Sequence, residues 1–253
     1  MKQISIRSAL MRIMAVLFVA MVSVSASAQY YMNVVLRNGD TEMYPVDDID
    51  SMFISGKQPD HQYVDLGLSV KWASCNMGAN SPEEYGDYYS WGETKPKEYY
   101  GWDAYLWGTG TFYPRNLNKY NTTRSYGPVD NMTILELNDD APFVYWGAPW
   151  HVPTQENMDE LRTKCNWTWT TLNGVNGYLV TSKVKGYTDR SIFLPASGIM
   201  EDIGLLYDGE RGFYWTNSLT NESMSANMLL LEERRPYSSA ASRNYGCCIR
   251  PVF

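Results

Sequence analysis

Few stretches of the chain carry a clear apolar period, and each predicts a short element. Residues 155–164 have the strongest helical spacing, with Met158, Leu161 and then Cys165 on one face. Thr154 stands ready as the N-cap and Pro153 blocks anything before it. A second short helix is expected near Ile134–Leu137 or Asp140–Trp146. Trp167–Leu172 and Tyr178–Ser182 read as strands around Asn173-Gly174-Val175-Asn176-Gly177, a hairpin signal. Alternation there sets Trp167 and Trp169 on one face. Further strands are expected at Val70–Cys75, Tyr88–Trp91, Ile192–Pro195, Phe213–Asn217, Asn227–Leu231 and Cys247–Val252. Ser81-Pro82-Glu83-Glu84 reads as a helical turn capped by Ser81, and 95–135 as long surface loops. No internal repeat is apparent. The pattern implies an α+β fold, a small irregular and mostly antiparallel sheet with one or two helices and long loops.

The N-terminus reads differently. Lys2, Arg7 and Arg12 precede the uncharged apolar run Ile13–Val24, and Ala26-Ser27-Ala28 follows. This is the layout of a signal peptide over 1–28, with cleavage expected before Gln29. The alternative, a retained anchor, suffers from a twelve-residue apolar run where a bilayer needs about 20 residues. Residues 29–56 predict a short β segment, with Asn33–Leu36 and Thr41–Val46 flanking the turn Arg37-Asn38-Gly39-Asp40 and Ile49–Ile54 adding an extended piece. A lone hairpin is marginal in water, so this segment is expected to pack on the main domain or on a partner, which makes oligomerisation through 30–55 a possibility. A polar linker at 57–62 leads to the main domain, 63–253.

Composition narrows the function. The full chain of 253 residues carries 21 basic and 28 acidic side chains. Without residues 1–28 it has 18 against 28, a net charge near −10. That balance repels phosphate backbones and argues against nucleic-acid binding. No second apolar run is long enough to span a membrane, so no integral span is expected after signal cleavage. Four cysteines, Cys75, Cys165, Cys247 and Cys248, allow three pairings. A Cys75–Cys165 bridge is preferred, because both sit on framework segments. If their segment is a strand, Cys247 and Cys248 face opposite sides and a bond between them is strained. Buried free thiols are the other reading.

Candidate chemistry is sparse. The acids to weigh for a paired-carboxylate site are Asp87, Glu93, Asp139, Asp140, Glu156 and Glu160. Asp139-Asp140 precede a possible helix, where carboxylates suit the N-terminal dipole. Glu156 and Glu160 belong to the exposed face of the 155–164 helix. The two histidines, His61 and His151, form no recognisable constellation with a nucleophile, and no metal site or cofactor is expected. Trp72, Trp146, Trp150, Trp167 and Trp169 are expected in the core. Tyr99, Tyr100, Trp102, Tyr105 and Trp107 lie in the loop region, where exposure is an equal alternative.

Several landmarks occur in order: YVDLGLSVKWA (63–73), KWASCNMGANSPEEYGDYYSWGETKPK (71–97), DDAPFVYWG (139–147), YWGAPWHVPTQENMDEL (145–161), CNWTWTTLNGVNGY (165–178), SIFLPASG (191–198), YWTNSL (214–219) and YGCCIRPVF (245–253). Together they resemble the Fibrobacter succinogenes major paralogous (FISUMP) domain, over about 61–253. His151 stands where that family's pattern suggests arginine, and Cys247-Cys248 where it suggests small or apolar residues. The resemblance implies an exported or surface protein of bacteria such as the Bacteroidetes and a C-type-lectin-like fold, with no agreed activity. Gln58-Pro59-Asp60 spells a tripeptide that lectins of this fold use for calcium and sugar, but it precedes the domain and is set aside. In diversified proteins sharing the fold, the C-terminal region carries the binding face. The resemblance therefore nominates Trp215, Asn217, Asn221, Tyr237, Arg243, Asn244 and Tyr245 as the ligand site. Their Tyr, Asn and Arg content suits a binding surface. The expected role is non-enzymatic recognition of a glycan or cell-surface protein, in the periplasm, at the cell surface or outside. The alternatives are an enzyme with an unrecognised carboxylate or cysteine site and a structural subunit assembling through the N-terminal β segment.

Overall fold

The computed structural model describes residues 31–35, 41–46, 61–110 and 116–253. The expected signal peptide, the 37–40 turn, the extended piece at 49–54 and most of the linker lie outside the described residues. The chain divides into two compact units, Met1–Lys57 and Gln58–Phe253. In the first, β1 (Tyr31–Val35) and β2 (Thr41–Pro45) form an antiparallel hairpin, with Tyr31 opposite Pro45 and Val35 opposite Thr41.

The second unit is mixed α+β, mostly antiparallel. Two short pairs open it: β3 (Tyr63–Val64) with β4 (Trp72–Ala73), and β5 (Gly108–Thr109) with β6 (Asn116–Leu117). Helix α1 spans Ala141–Trp146 and α2 spans Gln155–Lys164. A three-stranded antiparallel sheet follows, of β7 (Cys165–Leu172), β8 (Val175–Ser182) and β9 (Ser191–Pro195). The larger sheet contains β10 (Ser197–Glu201), β11 (Gly204–Asp208), β12 (Arg211–Leu219), β13 (Ser225–Glu232) and β14 (Tyr237–Ser242), in the order β11-β10-β12-β13-β14. Within this sheet β10 and β12 run parallel, at Gly198 opposite Gly212.

Local chemistry explains the predicted elements that form. Thr154 Oγ1 accepts from Asn157 N at 3.2 Å, and Asn157 Oδ1 accepts from Thr154 N at 3.0 Å, closing a capping box on α2. Met158, Leu161 and Cys165 all enter one core, as their spacing predicts. Of the two places expected for a second helix, 141–146 is the helical one. The β7–β8 turn is tighter than the five residues expected. Asn173 (φ 49°) and Gly174 (φ 88°) turn the chain alone, and Val175 to Gly177 join β8. Positive φ at both central residues makes this the type I′ turn that Asn-Gly favours. Ser81–Glu84 forms a turn rather than a helix, closed by Glu84 N to Ser81 O at 3.2 Å.

The β12–β13 pair is buried on both faces. Phe213, Trp215, Leu219, Ala226, Met228 and Leu230 enter one core, while Tyr214, Leu229 and Leu231 enter another. The period of two explains the unbroken run Met228-Leu229-Leu230-Leu231, which has no solvent face to alternate with. The tail obeys the same rule: Cys247 and Ile249 join the first core, Cys248 and Val252 the second. The expectation that adjacent cysteines face opposite sides is met. The preferred Cys75–Cys165 bridge is not formed; all four thiols are free. Cys165 is packed against α2 in the second core, whereas Cys75 is half-buried beside Ser74 Oγ at 3.5 Å.

The tail also stitches the unit together. Lys71 and Phe253 exchange backbone hydrogen bonds of 2.8 and 3.0 Å, and Cys248 N donates to Phe213 O at 3.0 Å. Arg250, fully buried, projects from it into a cage of oxygens. Its Nε donates to Asn76 Oδ1 (2.9 Å), and its terminal nitrogens donate to Ala73 O (3.1 Å), Ser74 O (2.8 Å) and Phe193 O (2.9 Å). Burial lowers its pKa from the ordinary arginine value. Among the described residues, no helix is long and apolar enough to cross a membrane.

Two outcomes are expected. Arg250→Met strands four acceptors and should cost about 3–5 kcal/mol in urea unfolding. Arg250→Lys should recover less than half, since one ammonium cannot span that fork. In thiol labelling of the native protein Cys75 should react first. Cys165 and Cys248, whose pKa values burial pushes up to about 11 and about 12, should react only on unfolding.

Candidate functional site

The seven residues nominated from the sequence do not form one exposed face. Trp215 is 1 % exposed, and its Nε1 donates to Tyr89 O at 2.7 Å. Asn244 is 2 % exposed, donating from Nδ2 to Tyr100 O at 2.6 Å. Arg243 is fully buried. Its Nε donates to Tyr105 Oη (2.7 Å), and its terminal nitrogens donate to the carbonyls of Tyr120 (2.9 Å), Ser223 (2.9 Å) and Lys119 (3.0 Å). The rings of Trp91, Tyr105 and Tyr120 surround the guanidinium with centroids at 5.2, 5.2 and 5.8 Å. These three residues are framework, a correction to the sequence expectation. Asn217 is half-buried and uses its backbone, donating to Pro153 O at 3.0 Å and accepting from Leu135 N at 2.9 Å. Tyr245 is half-buried, with its hydroxyl donating to Glu201 Oε1 at 2.5 Å. Tyr237 is half-buried on β14, and of the seven only Asn221 is exposed. Trp215 lies on β12, which is covered on both faces, and the chain leaving β14 turns inward with Arg243 and Asn244.

Of the loop aromatics, Tyr99 is exposed and Trp107 is half-buried. Tyr100, Trp102 and Tyr105 are buried, and Trp102 and Tyr105 form a small third core with Leu117. Among the framework tryptophans, Trp72 and Trp150 are buried; Trp167 and Trp169 are half-buried and share a face, each edge-on to Tyr178.

The weighed carboxylates have structural partners. Glu93 accepts from Leu106 N (2.8 Å) and pairs with Lys97 (2.8 Å). Asp139 takes Lys119 Nζ and Tyr120 Oη, each at 2.5 Å. Glu160 accepts from Ser69 N at 2.9 Å, and Tyr89 Oη lies 3.4 Å from Asp87. Glu156 is exposed on α2. Asp140 caps α1 through Phe143 N (3.0 Å) and holds the next loop through Val152 N (2.9 Å). Burial pushes its pKa up to about 6, against the pull of those two donors and of His151. Among the described residues, no group of three His, Cys, Asp or Glu side chains is placed to hold a metal ion.

A different set of aromatics does reach solvent. His61 stacks on Trp146 at 3.7 Å between centroids, and Trp146 meets Trp150 edge-on at 5.1 Å. Trp150 packs on Phe253 (4.6 Å), and Phe253 on Tyr63 (4.9 Å). Lys71 Nζ lies 4.9 Å from the Tyr63 ring and 5.3 Å from that of Phe253. Trp150 is the buried floor of this ledge, and Tyr63, 49 % exposed, is its open end. Burial lowers the pKa of His61, favouring the neutral ring. The ledge offers flat apolar faces beside an ammonium, which suits stacking against a sugar ring or a partner side chain. Sequence reasoning assigned His61 to the linker and Trp146 to the core. The one available signal was aromatic density at 145–150, with nothing to join it to 61–63 or 253.

No family model, no curated protein and no solved structure matches this chain.

Asp140→Asn turns one of two acceptors into a donor and should cost about 1–2 kcal/mol. Between about pH 4 and 6 the folded state holds Asp140's proton while the unfolded chain has released it, so this group's contribution to stability falls as pH rises through that window. The gap between wild type and variant should therefore be largest near pH 4 and shrink toward pH 6. Parallel pH profiles in chemical denaturation would refute the raised carboxyl.

Proposed function

We propose that this chain is a non-enzymatic binding protein acting at or outside the cell envelope. Its ligand is a glycan or a surface protein, and its main unit is a FISUMP domain with a C-type-lectin-like fold. The ordered landmarks from 61 to 253 support the family, and two short helices against mostly antiparallel sheets with long irregular stretches are compatible with the fold. The observation that carries the binding role is the aromatic ledge of His61, Tyr63, Trp146 and Phe253, with Lys71 beside it. A catalytic reading has less support. Glu93, Asp139 and Asp140 are committed to ion pairs, amides and a helix cap, and three of the four thiols are buried. The ledge keeps the ligand class expected from the sequence and contains none of the seven residues nominated there.

The test is a glycan array and a surface-protein array probed with wild type and Tyr63→Ala. Tyr63 stands at the open end, so its loss should weaken bound ligands about tenfold, as expected for one aromatic contact of about 1 kcal/mol or slightly more. Thermal stability should change little. Ligands that bind both proteins equally would place recognition elsewhere, and an absence of ligands on both arrays would count against the binding role.

A further inference from the structure

We infer that the outer edge of β11 is a docking edge for an extended, cationic peptide segment of a partner protein. This inference rests on its own observations and does not need the family assignment or the aromatic ledge.

β11 ends the five-stranded sheet, and among the described residues only β10 pairs with it. Its apolar side chains face water on both sides. Leu205 and Leu206 point to opposite faces, yet are 38 % and 39 % exposed, and Ile203 in the preceding turn is 80 % exposed. Lysine and proline, two common edge protections, are absent from residues 201–210; Tyr207, at φ 60°, breaks the extended backbone near one end and leaves 204–206 as the regular stretch. The hairpin is also held in place. Tyr100 N donates to Asp202 O at 2.8 Å, and Gly209 N donates to Ala196 O at 2.7 Å. An ordered edge with wetted apolar side chains is the template that strand addition uses.

Charge selects the occupant. Glu201, Asp202, Asp208 and Glu210 bracket the apolar centre, with no basic residue between 201 and 210. The adjacent Arg211 is already engaged, 3.1 Å from Glu232 and stacked over Tyr207 at 4.7 Å. A second copy paired antiparallel through β11 would set Asp208 of one chain beside Glu201 and Asp202 of the other. That like-charge contact disfavours self-pairing. The complement is a strand with apolar residues at its centre and Lys or Arg at its ends.

The experiment uses the full chain and two nonapeptides with the same Val/Thr core, one flanked by paired lysines and one by paired glutamates. Binding is read by fluorescence anisotropy and by amide exchange. The lysine-flanked peptide should bind at least about tenfold more tightly, and should slow exchange at 204–208. The surface variant Asp202→Lys/Asp208→Lys should abolish or reverse that preference. The inference is overturned if neither peptide binds at about millimolar concentration, if flank charge makes no difference, or if protection appears elsewhere. It is equally overturned if the chain self-associates in sedimentation and Leu206→Asp abolishes the association, because the occupant is then a second copy.

Discussion

Two buried guanidinium groups satisfy backbone that no regular ladder reaches. A buried cation without a carboxylate partner is costly unless dipoles replace its water. Arg250 and Arg243 meet that requirement with carbonyl, amide and phenol oxygens, and Arg243 adds three aromatic faces. The exchange works in both directions. The carbonyls of Ser74, Lys119, Tyr120 and Ser223 belong to irregular stretches or turns, where buried acceptors otherwise lack donors. Each arginine is thus the internal solvent of a loop system, and each is delivered by the segment after β14.

That delivery depends on β12 and β13 being buried on both faces. With Tyr214 and Trp215 pointing into opposite cores, whatever pairs beside β12 must also split its side chains. Cys247, Cys248 and Ile249 do so, which fixes the register of the tail and hence the positions of Arg243 and Arg250. This constraint removed Trp215, Arg243 and Asn244 from the surface. Tyr, Ser, Asn and Arg are rich in binding loops because they combine stiff area with adaptable hydrogen bonds. The same properties serve an irregular interior that must satisfy its own backbone, so composition alone does not separate the two uses.

What was legible in the sequence follows the range of the interaction that fixes it. α2 was readable to the residue because Thr154, Asn157, Met158 and Leu161 lie within two or three turns. The β7–β8 hairpin was readable because Asn173-Gly174 sets its geometry locally, and only the length of its turn was misjudged. The expected strands near 192–195, 213–217 and 227–231 all formed, carried by apolar or aromatic runs. β14 was missed because Tyr237–Ser242 is mostly serine and alanine, and it becomes a strand through its pairing with β13. β10 and β11 were missed for a related reason: exposure on both faces of β11 erases alternation. The aromatic ledge was invisible because it joins positions 61, 146 and 253, which no local signal connects.

The ledge and the tail are one mechanical system. Phe253 is held by reciprocal backbone bonds with Lys71, and Val252 bridges both Trp72 and His151. Asp140 ties the start of α1 to Val152, which limits how far Trp146, at the other end of that helix, can move from Trp150. Rings mounted this way lose little freedom when a ligand stacks on them, so more of the contact energy appears as affinity. For the binding role proposed here, the buried arginines and the Asp140 cap therefore matter beyond stability. They determine how well ordered the surface is before anything touches it, which is what a recognition site on irregular loops needs most.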